Sequence, residues 1–165
     1  MEALKGKNSI LLFRLLEDAA KNKAAKLAFQ TEHSIEKSKD SDVTETKDGQ
    51  IVIGQGKEEE MSFSCVMGDN DPTIEMLERS FDEDKTLEVW EVDVTPRQNG
   101  AGEYPAIYRQ GIVTEFNKSA NVEDLMTLEM SFKTSGQGQK GMVKLTQEQQ
   151  EVVQYKFTDT EPKTV

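Results

Sequence analysis

Three stretches of the chain put an apolar side chain at every second position, and this alternation constrains the fold more than any other feature. Met61, Phe63, Cys65 and Met67 are separated by Ser62, Ser64 and Val66. Met126, Leu128, Met130 and Phe132 alternate with Thr127, Glu129, Ser131 and Lys133, and Val153, Tyr155 and Phe157 with Gln154 and Lys156. Successive side chains of a strand point to opposite faces, so each stretch reads as a strand with one face in a core and the other polar. Trp90 to Val94 alternates too, with Glu91 and Asp93 on the polar side; Val89 breaks the phase and reads as a bulge. Tyr104 to Phe116 reads as one long aromatic-rich strand in which Gly111 marks a bend. The class is mainly β.

Helical signals are few. Asp71 before Pro72 is an N-cap followed by proline at the first helical position. Ile74, Leu77 and Phe81 then form a stripe that would pack on a sheet. Thr146 and Gln149 have capping-box spacing and predict a short turn of helix. Ile10 to Leu16 is open between a buried strand and a helix, and Ala24 to Glu32 reads as a strand. Residues 36–50 contain one apolar side chain, Val43, so the segment cannot bury itself and alone should be mobile.

Composition closes off several functions. One cysteine, Cys65, and one histidine, His33, leave no disulfide framework, no cysteine-only metal site and no two-histidine zinc motif. The apolar run Ile10-Leu11-Leu12-Phe13 ends at Arg14, too short for a membrane span, and Arg14, Glu17 and Asp18 spoil its likeness to a signal peptide. The expectation is a soluble protein made in a reducing compartment. With a net charge of −11 over 165 residues, a surface that grips nucleic-acid phosphates is not expected. The charge is uneven: residues 1–31 carry +3, residues 32–60 carry −5 and residues 69–93 carry −8. A basic head and an acidic middle could attract each other between neighbouring copies.

The short chemical motifs each have a plainer reading. Gly136-Gln-Gly138-Gln-Lys-Gly141 has the letters of a dinucleotide fingerprint, but Met142 to Leu145 reads as a strand where a helix is required, so a hairpin connection is expected. Asp69-Asn70-Asp71 lacks the glycine and the bidentate glutamate of a calcium loop, and capping explains Asp71. Cys65 falls on the apolar side of its strand, and His33 reads as a surface residue at a strand end. Glu58-Glu59-Glu60 and Asp82-Glu83-Asp84 read as solvated charge runs. Nothing argues for catalysis.

Read in order, the segments resemble a known family. Gly6-Lys7-Asn8-Ser9-Ile10-Leu11-Leu12-Phe13-Arg14-Leu15-Leu16 is similar to its opening, followed by Ala25 to Ser34, Glu36-Lys37-Ser38 and Thr46-Lys47-Asp48-Gly49. Leu87 to Val92, Tyr108-Arg109-Gln110-Gly111 and the 136–141 turn before Leu145-Thr146 fit as well. The resemblance, from about residue 6 to residue 159, is to the major tail tube proteins of long, non-contractile bacteriophage tails.

That resemblance implies a structural virion protein and no enzyme: one domain over 1–165, a β-sandwich with one flanking helix, whose sheets join in a hexameric ring into an inner β-barrel. It implies stacked rings forming a hollow tube around a tape measure protein, with tail-tip and tail-terminator proteins at the ends. Genome DNA passes through the lumen without specific binding, and no cofactor, metal or membrane is involved. The chain would reside in the host cytoplasm before assembly and in the virion after it. A long loop at about 35–57 would reach the adjacent ring, through Lys37, Lys39, Asp40, Asp42, Val43, Glu45, Lys47 and Asp48. Glu32, Glu115 and Glu129, acidic members of polar strand faces, are the candidates for the lumen. Eight residues follow Phe157, so the C-terminal immunoglobulin-like domain of some members is not expected. The competing readings are a non-catalytic β-sandwich binding module using Trp90, Tyr104 and Tyr108, and a tube protein like that of type VI secretion.

Overall fold

A computed structural model describes residues 2–95 and 102–146. Its strands are β1 (Ser9–Leu15), β2 (Ala25–Lys26), β3 (Gln30–Thr46), β4 (Gly49–Val66), β5 (Leu87–Asp93), β6 (Tyr104–Ser119), β7 (Thr127–Thr134) and β8 (Gln139–Val143), with one helix, α1 (Pro72–Glu83), between β4 and β5. All pairings are antiparallel, in the order β2-β1-β5-β6-β7-β4-β3, with β8 joined to β6. The expected Thr146–Gln149 turn and the Val153–Phe157 strand lie outside the described residues.

The sheet bends over itself, so that β1 and β5 face β4 and β7 across the main core. Leu11, Phe13 and Leu15 meet Met61, Phe63, Cys65, Leu128, Met130 and Phe132 there, with the Phe13 and Phe63 rings 5.1 Å apart. Ile10 and Leu12 belong to a second core with Val92, Val94, Tyr104 and Ala106. β1 is therefore covered on both faces, which is why a continuous apolar run forms a strand. The same reason corrects the bulge expected at Val89: β5 pairs in unbroken register with β1 and β6, Val89 entering the main core and Val92 the second. The irregularities fall instead between Gln30 and Glu32, Lys39 and Asp40, and Val113 and Glu115.

Three further expectations are corrected. The stretch 24–32 is not one strand, because β2 ends at Lys26 and a turn precedes β3, with Phe29 at φ +51°. The 136–141 segment is no hairpin, because β8 pairs with β6 and not with β7. In α1 the Asp71 cap is as expected, Oδ1 accepting from Thr73 N–H at 2.9 Å, and Ile74 and Leu77 are buried. Phe81 stands exposed beside Phe116, however, and Ser80 takes the inward place, donating to Lys85 O at 2.8 Å and accepting from Val113 N–H at 3.3 Å.

Gly111 is where β6 changes partners, pairing with Leu87 of β5 and Thr134 of β7. A Cβ there would lie 1.9 Å from Lys133 O, so only glycine lets the two parts of the sheet meet.

One end of the main core is closed by charge. Arg109, whose side chain is 1% exposed, donates to Glu59 Oε2 at 2.8 Å. Gly138 N–H is 3.3 Å from both Glu59 oxygens, and Lys37 Nζ is 3.8 Å from Oε1. Arg109 Nη1 lies 4.0 Å from Glu91 Oε1, and Glu91 Oε2 lies 3.0 Å from His33 Nε2. So Glu59 is not part of a solvated run, nor is His33 a simple surface residue. A Cβ on Gly138 would come within 2.8 Å of Ile107 Cγ2, which explains a glycine in the 136–141 turn without any nucleotide.

Gly111→Ala should abolish soluble folded protein or lower Tm by well over 10 °C, read by thermal unfolding. Burial opposes ionisation of Glu59, but the Arg109 and Gly138 hydrogen bonds and the Arg109 and Lys37 charges outweigh it and hold its pKa below the ordinary 4.5. A lowered folded pKa gives stability that is present above the unfolded value and lost as pH falls through the folded one. Glu59→Gln, which leaves Arg109 buried without its counter-charge, should cost about 3–5 kcal/mol at pH 7. In urea titrations the gap between variant and parent should narrow below pH 4.5.

Candidate functional site

The face of β3, β4, β7 and β6 turned away from the main core is polar. Registers align Glu32 with Ser64, Glu129 and Asn117 across the four strands, and Ser34 with Ser62, Ser131 and Glu115 in the next row. Opposed residues of paired strands share a face, so Glu32, Glu115 and Glu129 stand together on one surface. All three are exposed, and Ser131 Oγ donates to Glu115 Oε2 at 3.3 Å. Glu36, Glu58 and Glu60 continue the same face by the period of two, with Lys133 opposite Glu60 and its Nζ 3.9 Å from Glu58. The surface is hydroxyl-rich and acidic. The inward positions between these rows are Met61, Phe63, Cys65, Leu128, Met130 and Phe132.

Among the described residues this layer has two unpaired edges. Among those residues β3 pairs only with β4, and β6 beyond Val113 pairs only with β7, because its pairing with β5 ends at Gly111. Unpaired edges present free N–H and C=O groups to any strand that can reach them.

The segment expected as a mobile loop is a two-stranded ribbon. β7 accompanies β4 only over Glu60–Val66, and beyond that β3 and β4 pair with each other alone as far as Thr46 and Gly49. The backbone pairs although the side chains bury nothing. Lys37 reaches Glu59; Lys39 lies opposite Lys57 where the register slips; Asp40 faces Gln55; Asp42 accepts from the Gln55 amide. Val43 faces Val52, Gln50 donates to Glu45 at 3.4 Å, and Lys47 and Asp48 form the turn, with Asp48 N–H 3.3 Å from Thr46 Oγ1. Val43 and Val52 share one face of the ribbon and Ile51 and Ile53 the other, all more than half exposed. A lone two-stranded ribbon is marginal in water, and exposed branched side chains on both faces call for a partner.

The described side chains considered for catalysis or binding are engaged elsewhere in this geometry. Cys65 is fully buried, and burial with the nearby Asp71 charge pushes its thiol up to about 11, so no thiolate forms near neutral pH. His33 is engaged by Glu91 and Ser9. Trp90 packs on Tyr108 with centroids 5.1 Å apart and carries the Arg14 guanidinium at 5.1 Å, while Tyr104 is buried, so these rings do not make an open stacking platform. Among the described residues no group of three or more acidic, histidine or cysteine side chains is placed to hold a metal.

Comparison with known proteins agrees with the architecture. The fold matches the SPP1 tail tube with a TM-score of 0.78 at 18% identity, covering 99% of this chain and 95% of that one. It matches a tail protein of a gene transfer agent particle refined with C6 symmetry, TM-score 0.65 at 13% identity, covering 83% and 98%. A chain of the six-fold symmetrised anti-feeding prophage baseplate is similar at TM-score 0.61 and 6% identity, covering 87% and 97%. None of the curated proteins compared is significantly similar in sequence. The family model of phage tail tube proteins matches residues 3–140, taking in both the four-strand polar layer and the ribbon: the chain belongs to the phage tail tube protein family.

Proposed function

We propose that the chain builds the wall of a phage tail tube with its polar four-strand layer turned to the bore. The observation that carries this reading is an acidic, hydroxyl-rich sheet face backed by an apolar core and bounded by two unpaired edges. In the layer order β3-β4-β7-β6 neighbours alternate in direction, so β6 of one copy beside β3 of the next makes another antiparallel pair. The joint repeats without a change of rule, and a closed ring removes both edges. With the six-fold symmetry of the related gene transfer agent tail, the wall would hold twenty-four strands. At a spacing of ~4.8 Å and ordinary barrel tilt, that wall is roughly 45 Å across between backbones, an open channel.

Glu32, Glu115 and Glu129 then face the bore, where like charge keeps DNA phosphates from adhering as the genome passes. The same bore holds the tape measure protein during assembly, and tail-tip and tail-terminator proteins end the stack. The subunit waits in the host cytoplasm until assembly. The ribbon from Lys37 to Asp48 and its return strand reach an adjacent ring, which covers Val43, Ile51, Val52 and Ile53.

Replacing residues 40–56 by an Asn-Gly turn, which joins the paired Lys39 and Lys57 in a two-residue hairpin, tests the ribbon's part. The variant should stay folded, with a Tm within a few degrees of the parent's and a circular dichroism spectrum that loses only the ribbon's strand signal, yet form no stacked tubes by negative-stain microscopy. Long tubes of this variant would refute the assignment.

A further inference from the structure

The head of the chain and the turn before β3 enclose a groove of about 810 Å³, lined by Lys7, Ile10, Lys26, Ala28, Phe29 and Glu32 among others. Its floor is rigid. Gln30 stands in for a strand, accepting from Leu11 N–H at 3.0 Å and donating to Leu11 O at 2.7 Å and Leu27 O at 3.1 Å. Its rim holds a strained aromatic: Phe29, with φ +51° and its carbonyl taken by Val66 N–H at 3.1 Å, projects a ring that is 66% exposed. A bulky residue in the left-handed region is a costly way to leave an aromatic in water. Lys26 is half-buried in the same groove, and among the described residues no carboxylate pairs with it or with Lys7. Burial alone pushes the Lys26 pKa down.

The chain carries a segment with the complementary properties. Beyond the register slip at Lys39, the ribbon presents Val43, Ile51, Val52 and Ile53 framed by Asp40, Asp42, Glu45 and Asp48, with Lys47 the single base of that stretch. We propose that this acidic, branched-apolar ribbon tip of one copy seats in the Lys7–Lys26–Phe29 groove of another, with carboxylates on the two lysines and a valine or isoleucine against the Phe29 ring. The proposal rests on the ribbon being a contact between copies and names the surface that receives it.

A chain cannot fill its own groove. His33 lines the groove at the root of β3, and Val43 lies ten residues further along the same extended strand, roughly 33 Å at the strand rise. The contact is therefore between copies, and when tip and groove engage different neighbours, as in stacked rings, it propagates a stack instead of closing a pair. Glu32, the one acid in the lining, belongs to the polar sheet face and sits at the groove's bore side. It offers the tip no counter-charge and helps select which way the acidic turn points.

The test is photo-crosslinking of the full-length chain with a benzophenone side chain at position 52, in assembled tubes, with adducts mapped by peptide mass spectrometry. Adducts joining position 52 to residues 7–10 or 26–29 of a second copy are expected. Adducts to another region of a second copy would overturn the groove while leaving the ribbon's role between copies intact. Absence of any intermolecular adduct would overturn both. As an independent check, Lys26→Glu, confirmed as folded by circular dichroism, should reduce tube yield at least tenfold at low salt. Unchanged yield would count against the groove.

Discussion

The register of β3, β4, β7 and β6 is the constraint on which the rest of the molecule depends. Because side chains alternate with a period of two, sliding β4 by one residue against β7 would bring Ser62 and Ser64 into the core and put Phe63 and Cys65 in water. Burial of Phe63, Met130 and Phe132 against Phe13 and α1 therefore does two things with one pattern. It supplies the apolar core, and it forces serines and glutamates onto a common outer face. The Glu59–Arg109 pair continues the inward phase of β4 past the apolar residues, so the core ends in a buried charge pair at the place where the ribbon leaves the body. A buried pair of this kind is weak as a source of net stability, but strongly penalises any arrangement that separates its members.

Much of this was legible in the sequence, and the failures are instructive. The alternation at Met61–Met67 and Met126–Lys133 located β4 and β7, and the same phase placed Glu129 outward. Extending that phase backwards from Met61 would have put Glu59 inward and Glu58 and Glu60 outward; the row of three glutamates hid a buried residue by looking uniform. Arg109 gave no comparable signal, since its partner lies fifty positions away. Val89 misled because a strand covered on one face was assumed, whereas β5 is covered on both. The ribbon misled in another way. Hydrophobic pattern reports burial, and a hairpin that buries nothing can still pair its backbone.

The unsatisfied features of the isolated subunit share one direction. Among the described residues, free edges on β3 and β6, a ribbon with branched residues on both faces, an exposed strained phenylalanine and a half-buried lysine without a counter-charge would each be a liability in a protein meant to remain alone. In a ring that closes edge to edge and stacks through its ribbons, each becomes a contact. The chain belongs to the tail tube family, and the proposed ring and stack would use each of these surfaces.

The most direct measurement is a helical reconstruction by electron cryomicroscopy of tubes formed by the intact chain, at a resolution that traces strands. The account predicts a continuous inner wall of antiparallel strands, β6 of one copy beside β3 of the next, with Glu32, Glu115 and Glu129 facing the channel. A tube whose channel is lined by α1, or whose copies meet without strand pairing at β3, would contradict it.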